Sequence, residues 1–275
     1  MMCAWQQLLN ILPGWLAGEV DMHEKKELQE IRLRLGTLPE LKTAAGNIWL
    51  NRGVSSEDLS FVVNAASRYS PWTAATVAQG FLTAAGGHRI GLCGDAVIKN
   101  GSVDGIRQIH SLCIRIARDY PGIGTAIGGF RGSILILGPP GSGKTTLLRD
   151  VLRVISATQT VCVVDERGEL FPESFTRGKR MDVLKGSPKA EGIDMVLRSM
   201  GPECIGVDEI TSEQDCEGLV RAGWCGVRLI ATAHASSLAD LKSRPVYRQL
   251  YRCHLFDHIV VLNRDKSWHE ERMVV

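Results

Sequence analysis

The stretch Gly138-Pro139-Pro140-Gly141-Ser142-Gly143-Lys144-Thr145 fits G-x-x-x-x-G-K-[ST], a pattern that carries meaning only between a strand and a helix. Both flanks are present. Ser133 to Leu137 is a short apolar run suited to a buried strand, and beyond Lys144 the residues Leu147, Leu148, Val151, Leu152 and Ile155 recur at helical spacing. A chance glycine-rich turn would account for the loop and for neither flank. In this setting the glycines let backbone N–H groups converge on an anion at the start of a helix. Lys144 can reach the β- and γ-phosphates of a nucleoside triphosphate, and Thr145, followed by Thr146, can turn a hydroxyl toward Mg²⁺. The stretch predicts a site for ATP with Mg²⁺ on residues 138–146, and it demands a sheet whose strand ends open onto that site.

The rest of the second half supplies such a sheet. Strand-like runs at 133–137, 160–165, 203–208, 227–231 and 257–262 alternate with helix-like runs at 144–157, 188–200, 213–222 and 237–252. That alternation predicts an α/β fold with a mostly parallel sheet and helices on both faces, where ligands bind at the carboxyl ends of the strands. The first half has a different texture. Ile31 to Leu35 alternates strictly, and Asn47 to Leu50 is a second extended run. Ser55-Ser56-Glu57-Asp58 caps a helix through Ala66. Ser70-Pro71 opens another short helix. From Gly80 to Ile116 strands dominate, with Asn100-Gly101 as a hairpin turn. The division expected is a small α+β domain over 1–119 and the phosphate-loop domain over 120–275.

Charge narrows the range of partners. Residues 1–119 carry 12 Lys and Arg against 11 Asp and Glu, and residues 120–275 carry 20 against 19, so neither half shows the basic excess of a nucleic-acid motor. The eight cysteines form no C-x-x-C pair, which argues against a metal knuckle. With no signal-peptide pattern visible they suit a reducing cytoplasm. No apolar run reaches the ~20 residues that span a bilayer. Leu8, Leu9, Ile11, Leu12, Trp15 and Leu16 form an amphipathic cluster, readable as a packed helix or as a contact for a partner or membrane surface.

Phosphate binding alone does not hydrolyse ATP. Turnover needs a carboxylate for the metal, a group that orients water, and cations for the developing charge. Cys204 to Glu209 is an apolar strand ending in Asp208-Glu209. Asp208 can hold Mg²⁺ through a water and Glu209 can polarise the attacking water. Thr160 to Asp165 leads into Glu166-Arg167-Gly168-Glu169, which brings Glu166 or Glu169 near the γ-phosphate or its water. Leu229 to Ala233 ends in His234, a group that can sense that phosphate. Arg107 and Arg115 are the preferred candidates, among the arginines of the first half, to complete a neighbouring subunit's site. The residues leave open which of Glu166, Glu169 and Glu209 activates water.

The order of phosphate loop, acidic box at 165–169, Asp208-Glu209 and Thr232-Ala233-His234 resembles the ATPases of type II and type IV secretion and of pilus retraction. Gly87-His88-Arg89, Ile114 to Arg118, Val164 to Arg167, Lys189-Ala190-Glu191-Gly192, Leu197 to Met200 and Arg244-Pro245 further resemble the stage III sporulation protein AA family. The resemblance implies a RecA-like P-loop core and an ATPase that forms a homohexameric ring. It also implies a peripheral place on the mother-cell side of the outer forespore membrane, beneath a channel built of membrane-protein partners. A nucleic-acid motor of the same core, or a scaffold that binds ATP without hydrolysing it, are the alternatives.

Overall fold

The computed structural model describes residues 3–67 and 80–271, and they form two compact units. The first comprises Met1–Asp119 with Pro172–Phe175, the second Tyr120–Phe171 with Thr176–Val275. The short excursion at Pro172–Phe175 has no counterpart in the division at 119/120 read from the sequence.

The first unit is a six-stranded antiparallel sheet with helices on one face. Its elements are α1 (Trp5–Asn10), α2 (Gly14–Asp21), β1 (Leu28–Arg34), β2 (Glu40–Thr43), β3 (Asn47–Trp49), α3 (Ser56–Ser67), β4 (Phe81–Thr83), β5 (Arg89–Lys99) and β6 (Ser102–Arg115). The strand order is β3-β2-β1-β6-β5-β4. Alternate residues Ile31, Leu33, Leu41, Leu82, Ile90, Leu92, Leu112 and Ile114 turn to one side. There they pack against Leu8, Leu12, Leu16 and Val20 of the first two helices and Leu59 and Val62 of α3, so the amphipathic N-terminal cluster is core. The cap predicted for α3 forms reciprocally: Ser55 N donates to Asp58 Oδ2 (2.9 Å) and Asp58 N to Ser55 Oγ (3.2 Å). The Asn100-Gly101 turn joins β5 to β6 with φ of 53° and 78°, the primed geometry that suits strand twist. The helix read from Ser70-Pro71 lies outside the described residues.

The second unit is a seven-stranded sheet, β13-β12-β7-β11-β10-β8-β9, parallel except for its last antiparallel pair, β12 with β13. Its strands are β7 (Ile134–Leu137), β8 (Val161–Asp165), β9 (Met181–Lys185), β10 (Cys204–Ile210), β11 (Arg228–Ala233), β12 (His258–Leu262) and β13 (Trp268–Glu271). After the short α4 (Thr125–Gly128), α5 (Lys144–Ile155) covers one face of the sheet through Leu147, Leu148, Val151, Leu152 and Ile155. On the other face lie α6 (Lys189–Met200), α7 (Glu213–Trp224), α8 (Leu238–Ser243) and α9 (Arg248–Arg252). The run 237–252, expected as one helix, is broken into α8, a 3₁₀ turn at Pro245–Tyr247 and α9. Pro245 cannot donate its backbone nitrogen and its ring clashes with the preceding turn. β9 and β13 complete the sheet without having been expected. Both are partly exposed edge strands, and their mixed patterns, Met-Asp-Val-Leu-Lys and Trp-His-Glu-Glu, lack the apolar run that marks the centre.

His88, one of the residues that carry the family resemblance, has a structural task within the first unit. It is fully buried; Ala117 N donates to its Nδ1 (3.2 Å), so its Nε2 carries the proton and donates to the Ala4 carbonyl (3.0 Å). Burial holds its pKa below the usual 6.5. Between the folded and unfolded values the unfolded chain binds more protons, so stability rises with pH there and is lost as pH falls below about 6.5. Unfolding by urea at a series of pH values is expected to show that loss. In the His88→Gln protein the slope just below pH ~6.5 is expected to be shallower by a fraction of one proton.

Candidate active site

The wholly buried β7 delivers the chain into the phosphate loop, and the loop ends where α5 begins. Two glycines are dictated by geometry. Gly143 sits at φ 99°, in the left-handed region. A Cβ on Gly138 would come within 2.6 Å of the Leu262 carbonyl oxygen and 2.7 Å of Ser142 Oγ. Lys144, only 6% exposed, folds back over the loop. Its ammonium donates to the carbonyls of Gly138 (2.8 Å) and Pro139 (3.0 Å) and to Nδ1 of His234 (3.1 Å).

The ends of β10 and β11 meet this loop, and the tip of β8 joins them through Arg167. At the tip of β10, Asp208 accepts from the Thr145 hydroxyl through Oδ2 (2.8 Å) and from the Thr232 hydroxyl through Oδ1 (2.6 Å). The Thr232 oxygen accepts in turn from Glu209 N (2.7 Å). The β10–β11 register slips between Val207 and Ile210, and Glu209 adopts φ 54°, a conformation that costs a residue with a Cβ of order 1–3 kcal/mol and is kept where the surroundings enforce it. The Glu209 carboxylate accepts from Arg167 (2.5 Å) and lies 3.1 Å from His234 Nε2. With Lys144 donating to Nδ1, the histidine proton belongs on Nε2, directed at Glu209. Lys144, His234, Glu209 and Arg167 thus form one continuous chain of contacts at the mouth of the loop.

The tip of β8 divides its acids between structure and surface. Asp165 is buried and accepts from the backbone N–H groups of Glu169 (2.9 Å), Leu170 (3.0 Å) and Phe171 (3.2 Å). Burial pushes its pKa up against those hydrogen bonds. Asp165 therefore shapes the turn. Glu166 is paired with Lys189, a buried lysine that also lies 3.8 Å from Asp215. Glu166, Glu169, Asp208 and Glu209 line one narrow cleft with Arg167 and Lys189. Arg107 and Arg115 stand on β6 of the first unit, Arg115 3.8 Å from Glu30 and Arg107 exposed. Thr146 is half-buried in the first turn of α5. Arg167, Lys189 and Thr232 were visible only as neighbours of the motifs. A basic residue beside paired acids, and a hydroxyl in an otherwise apolar strand, are the signals that mark them.

The loop fits a nucleotide's phosphates. Among the described residues the hydrogen-bond partners of the buried Lys144 are neutral, two carbonyls and an imidazole, and its burial lowers its pKa. A phosphate would balance that charge. Among the described residues the buried Ser142 Oγ has no hydrogen-bond partner, an unfilled requirement inside the anion cradle. Thr145 and Asp208 already share a hydrogen bond and are the oxygen donors on hand for Mg²⁺, whose remaining ligands would be phosphate oxygens and water.

Fold and site define the class: a RecA-like P-loop fold, shared with secretion ATPases, preceded in the chain by a small α+β unit. The fold is shared with the Legionella pneumophila ATPase DotB, at 17% identity over 95% of this chain and 80% of that one, with a TM-score of 0.63. It is also shared with the pilus retraction motor PilT, solved with ADP, at 14% identity over 95% and 78%, with a TM-score of 0.61. The chain belongs to the family Sporulation stage III, protein AA, which it matches over residues 5–273. It is 36% identical over 282 residues to stage III sporulation protein AA of Bacillus subtilis (strain 168), covering 95% of this chain and 92% of that one. The resemblance drawn from the motifs holds at the level of the family.

Thr232 is the test of how the strand tips are held. Thr232→Val leaves Asp208 Oδ1 and the Glu209 N–H, both half-buried, each short of the partner that the fully buried Thr232 supplies, and is expected to lower the unfolding free energy by about 1 kcal/mol. Thr232→Ser, which keeps the hydroxyl, is expected to stay near the parent. Urea titration of the two proteins compares them, and equal losses would remove the hydroxyl from this role.

Proposed function

We propose that this chain is the ATP-hydrolysing subunit of an oligomeric motor serving a sporulation-associated, secretion-like membrane channel between mother cell and forespore. The observation that carries the reading is the convergence on one loop of Thr145–Asp208 at 2.8 Å and Lys144–His234–Glu209 at 3.1 Å each. ATP bound with Mg²⁺ supplies the phosphoryl group and its leaving diphosphate. Residues 138–146 hold the phosphates, with Lys144 as the cation. Thr145 and, through a water, Asp208 hold the metal. Glu209 orients the attacking water by accepting its proton, with Glu166 and Glu169 close enough along the cleft to assist. His234 links the carboxylate to Lys144. Arg107 and Arg115 are the candidates for reaching a neighbouring subunit's nucleotide, which is why the active form is a ring, by resemblance a hexamer. Among the described residues no helix is long and apolar enough to cross a membrane, and the reading places the chain peripherally, held by membrane partners.

One observation favours a second reading, an ATP-dependent scaffold: Glu209 is already engaged by both Arg167 and His234. Hydrolysis decides between them. Lys144→Ala is expected to abolish ATP binding. Glu209→Gln is expected to keep ATP binding and to lose Mg²⁺-dependent turnover by about 10²-fold or more, in single-turnover assays on assembled protein. A Glu209→Gln protein that hydrolyses ATP at the parent rate would sink the assignment of the base. A parent that binds ATP and never turns over would leave the scaffold standing.

A further inference from the structure

The turn from Asn263 to Ser267 joins β12 to β13 beside the phosphate loop, and it is tightly built. Asn263 N donates to Ser267 O (2.9 Å), Lys266 N to Asn263 O (3.2 Å) and Asn263 Nδ2 to Ser267 Oγ (3.0 Å). Asp265 Oδ1 accepts from both the N–H (3.0 Å) and the hydroxyl (2.6 Å) of Ser267. These bonds hold Lys266 at φ 72°, an uncommon conformation for a residue with a side chain. The result is directional: the Lys266 ammonium crosses to the phosphate loop and donates to the Gly141 carbonyl at 2.7 Å. The same strand end touches the loop through the Leu262 carbonyl, whose oxygen fills the space a Cβ at Gly138 would need.

We propose that Lys266 is a positioning residue for the phosphate loop, a function that rests on the nucleotide-binding reading above. The peptide between Gly141 and Ser142 is trans, so its C=O and N–H point in opposite directions. A cation gripping the carbonyl from the β12–β13 side fixes the Ser142 N–H on the other side, where it donates to Pro139 O (3.2 Å). Lys144 holds the carbonyls of Gly138 and Pro139, and Lys266 holds that of Gly141. The two lysines clamp the loop from opposite ends. Lys266 thereby preorganises the cradle for any nucleotide with the phosphates that seat there, diphosphate as well as triphosphate.

The experiment compares the parent, Lys266→Met and Lys266→Arg as full chains. The first readout is hydrogen–deuterium exchange over residues 138–146 without nucleotide, and the second is the Kd for MgATP and for MgADP. Because the Lys266 contact is solvent-exposed, the change expected in Lys266→Met is modest. Exchange should be roughly three- to tenfold faster, and both Kd values should rise by the same factor, with Lys266→Arg restoring both. Equal exchange in all three proteins overturns the proposal, as does faster exchange with both Kd values unmoved. A parent without affinity for ATP would defeat the ATPase reading instead, and the nucleotide-free exchange would still decide whether Lys266 holds the loop.

Discussion

The Thr232 hydroxyl has no exposure to solvent, so both of its hydrogen-bonding roles must be met inside the protein. It meets them with Asp208 and with the backbone of Glu209, and those two contacts fix the shape of the β10 tip. Asp208 is drawn toward Thr145. Glu209, forced past the register slip into a left-handed conformation, is turned toward Arg167 and His234. The polar group at this point of β11 holds the two consecutive carboxylates of the β10 tip in place. Residues adjacent in a strand face opposite sides of the sheet, and the bulge is what brings both to one mouth.

This explains which parts of the site could be read in advance. The phosphate loop was legible because its chemistry is local: a buried strand, glycines at a tight approach and a lysine opening a helix all lie within about two dozen consecutive residues. Asp208, Glu209 and His234 were legible as polar ends of apolar runs, since a parallel sheet covered on both faces leaves only its strand ends for chemistry. Asp165 shows the limit of that logic. It ends an apolar run as Asp208 does, yet its oxygens are consumed by three backbone N–H groups of its own turn. From sequence, an acid that shapes its own turn and an acid that reaches across to the phosphate loop are the same letter. Lys266 was not legible at all, because the 125 positions that separate it from Gly141 are closed only by the pairing of β12 with β7.

The fold was readable to a similar depth. The central strands announce themselves by unbroken burial, whereas β9 and β13 sit at the sheet's edges and carry the mixed patterns that partial exposure allows. In the first unit, strict alternation predicted β1, extended runs predicted β3 and the strands between Gly80 and Ile116, β2 was not expected, and the Asn100-Gly101 turn fixed the longest pairing. The role of His88 could not be read there. A histidine beside an arginine in a glycine-rich run suggests chemistry, but its ring is closed off and spans Ala4 and Ala117, tying the chain's first helix to the end of the sheet.

The electrostatics of the second unit follow from the same covered sheet. Lys144 and Lys189 are both nearly buried, and they are treated oppositely. Lys189 is matched by Glu166 and lies near Asp215, so its charge is spoken for. Lys144 contacts neutral atoms and feels Asp208 and Glu209 only at longer range, which does not offset its loss of hydration. A buried cation left in that condition gains most from an anion delivered to it. The carbonyls and imidazole it holds meanwhile are weak enough partners to be given up. Once Lys144 turns away from His234, the imidazole loses the donor that fixed its tautomer, and its grip on Glu209 is free to change. In the proposed reading, occupancy of the loop and the setting of the Glu209 carboxylate are therefore joined through one histidine.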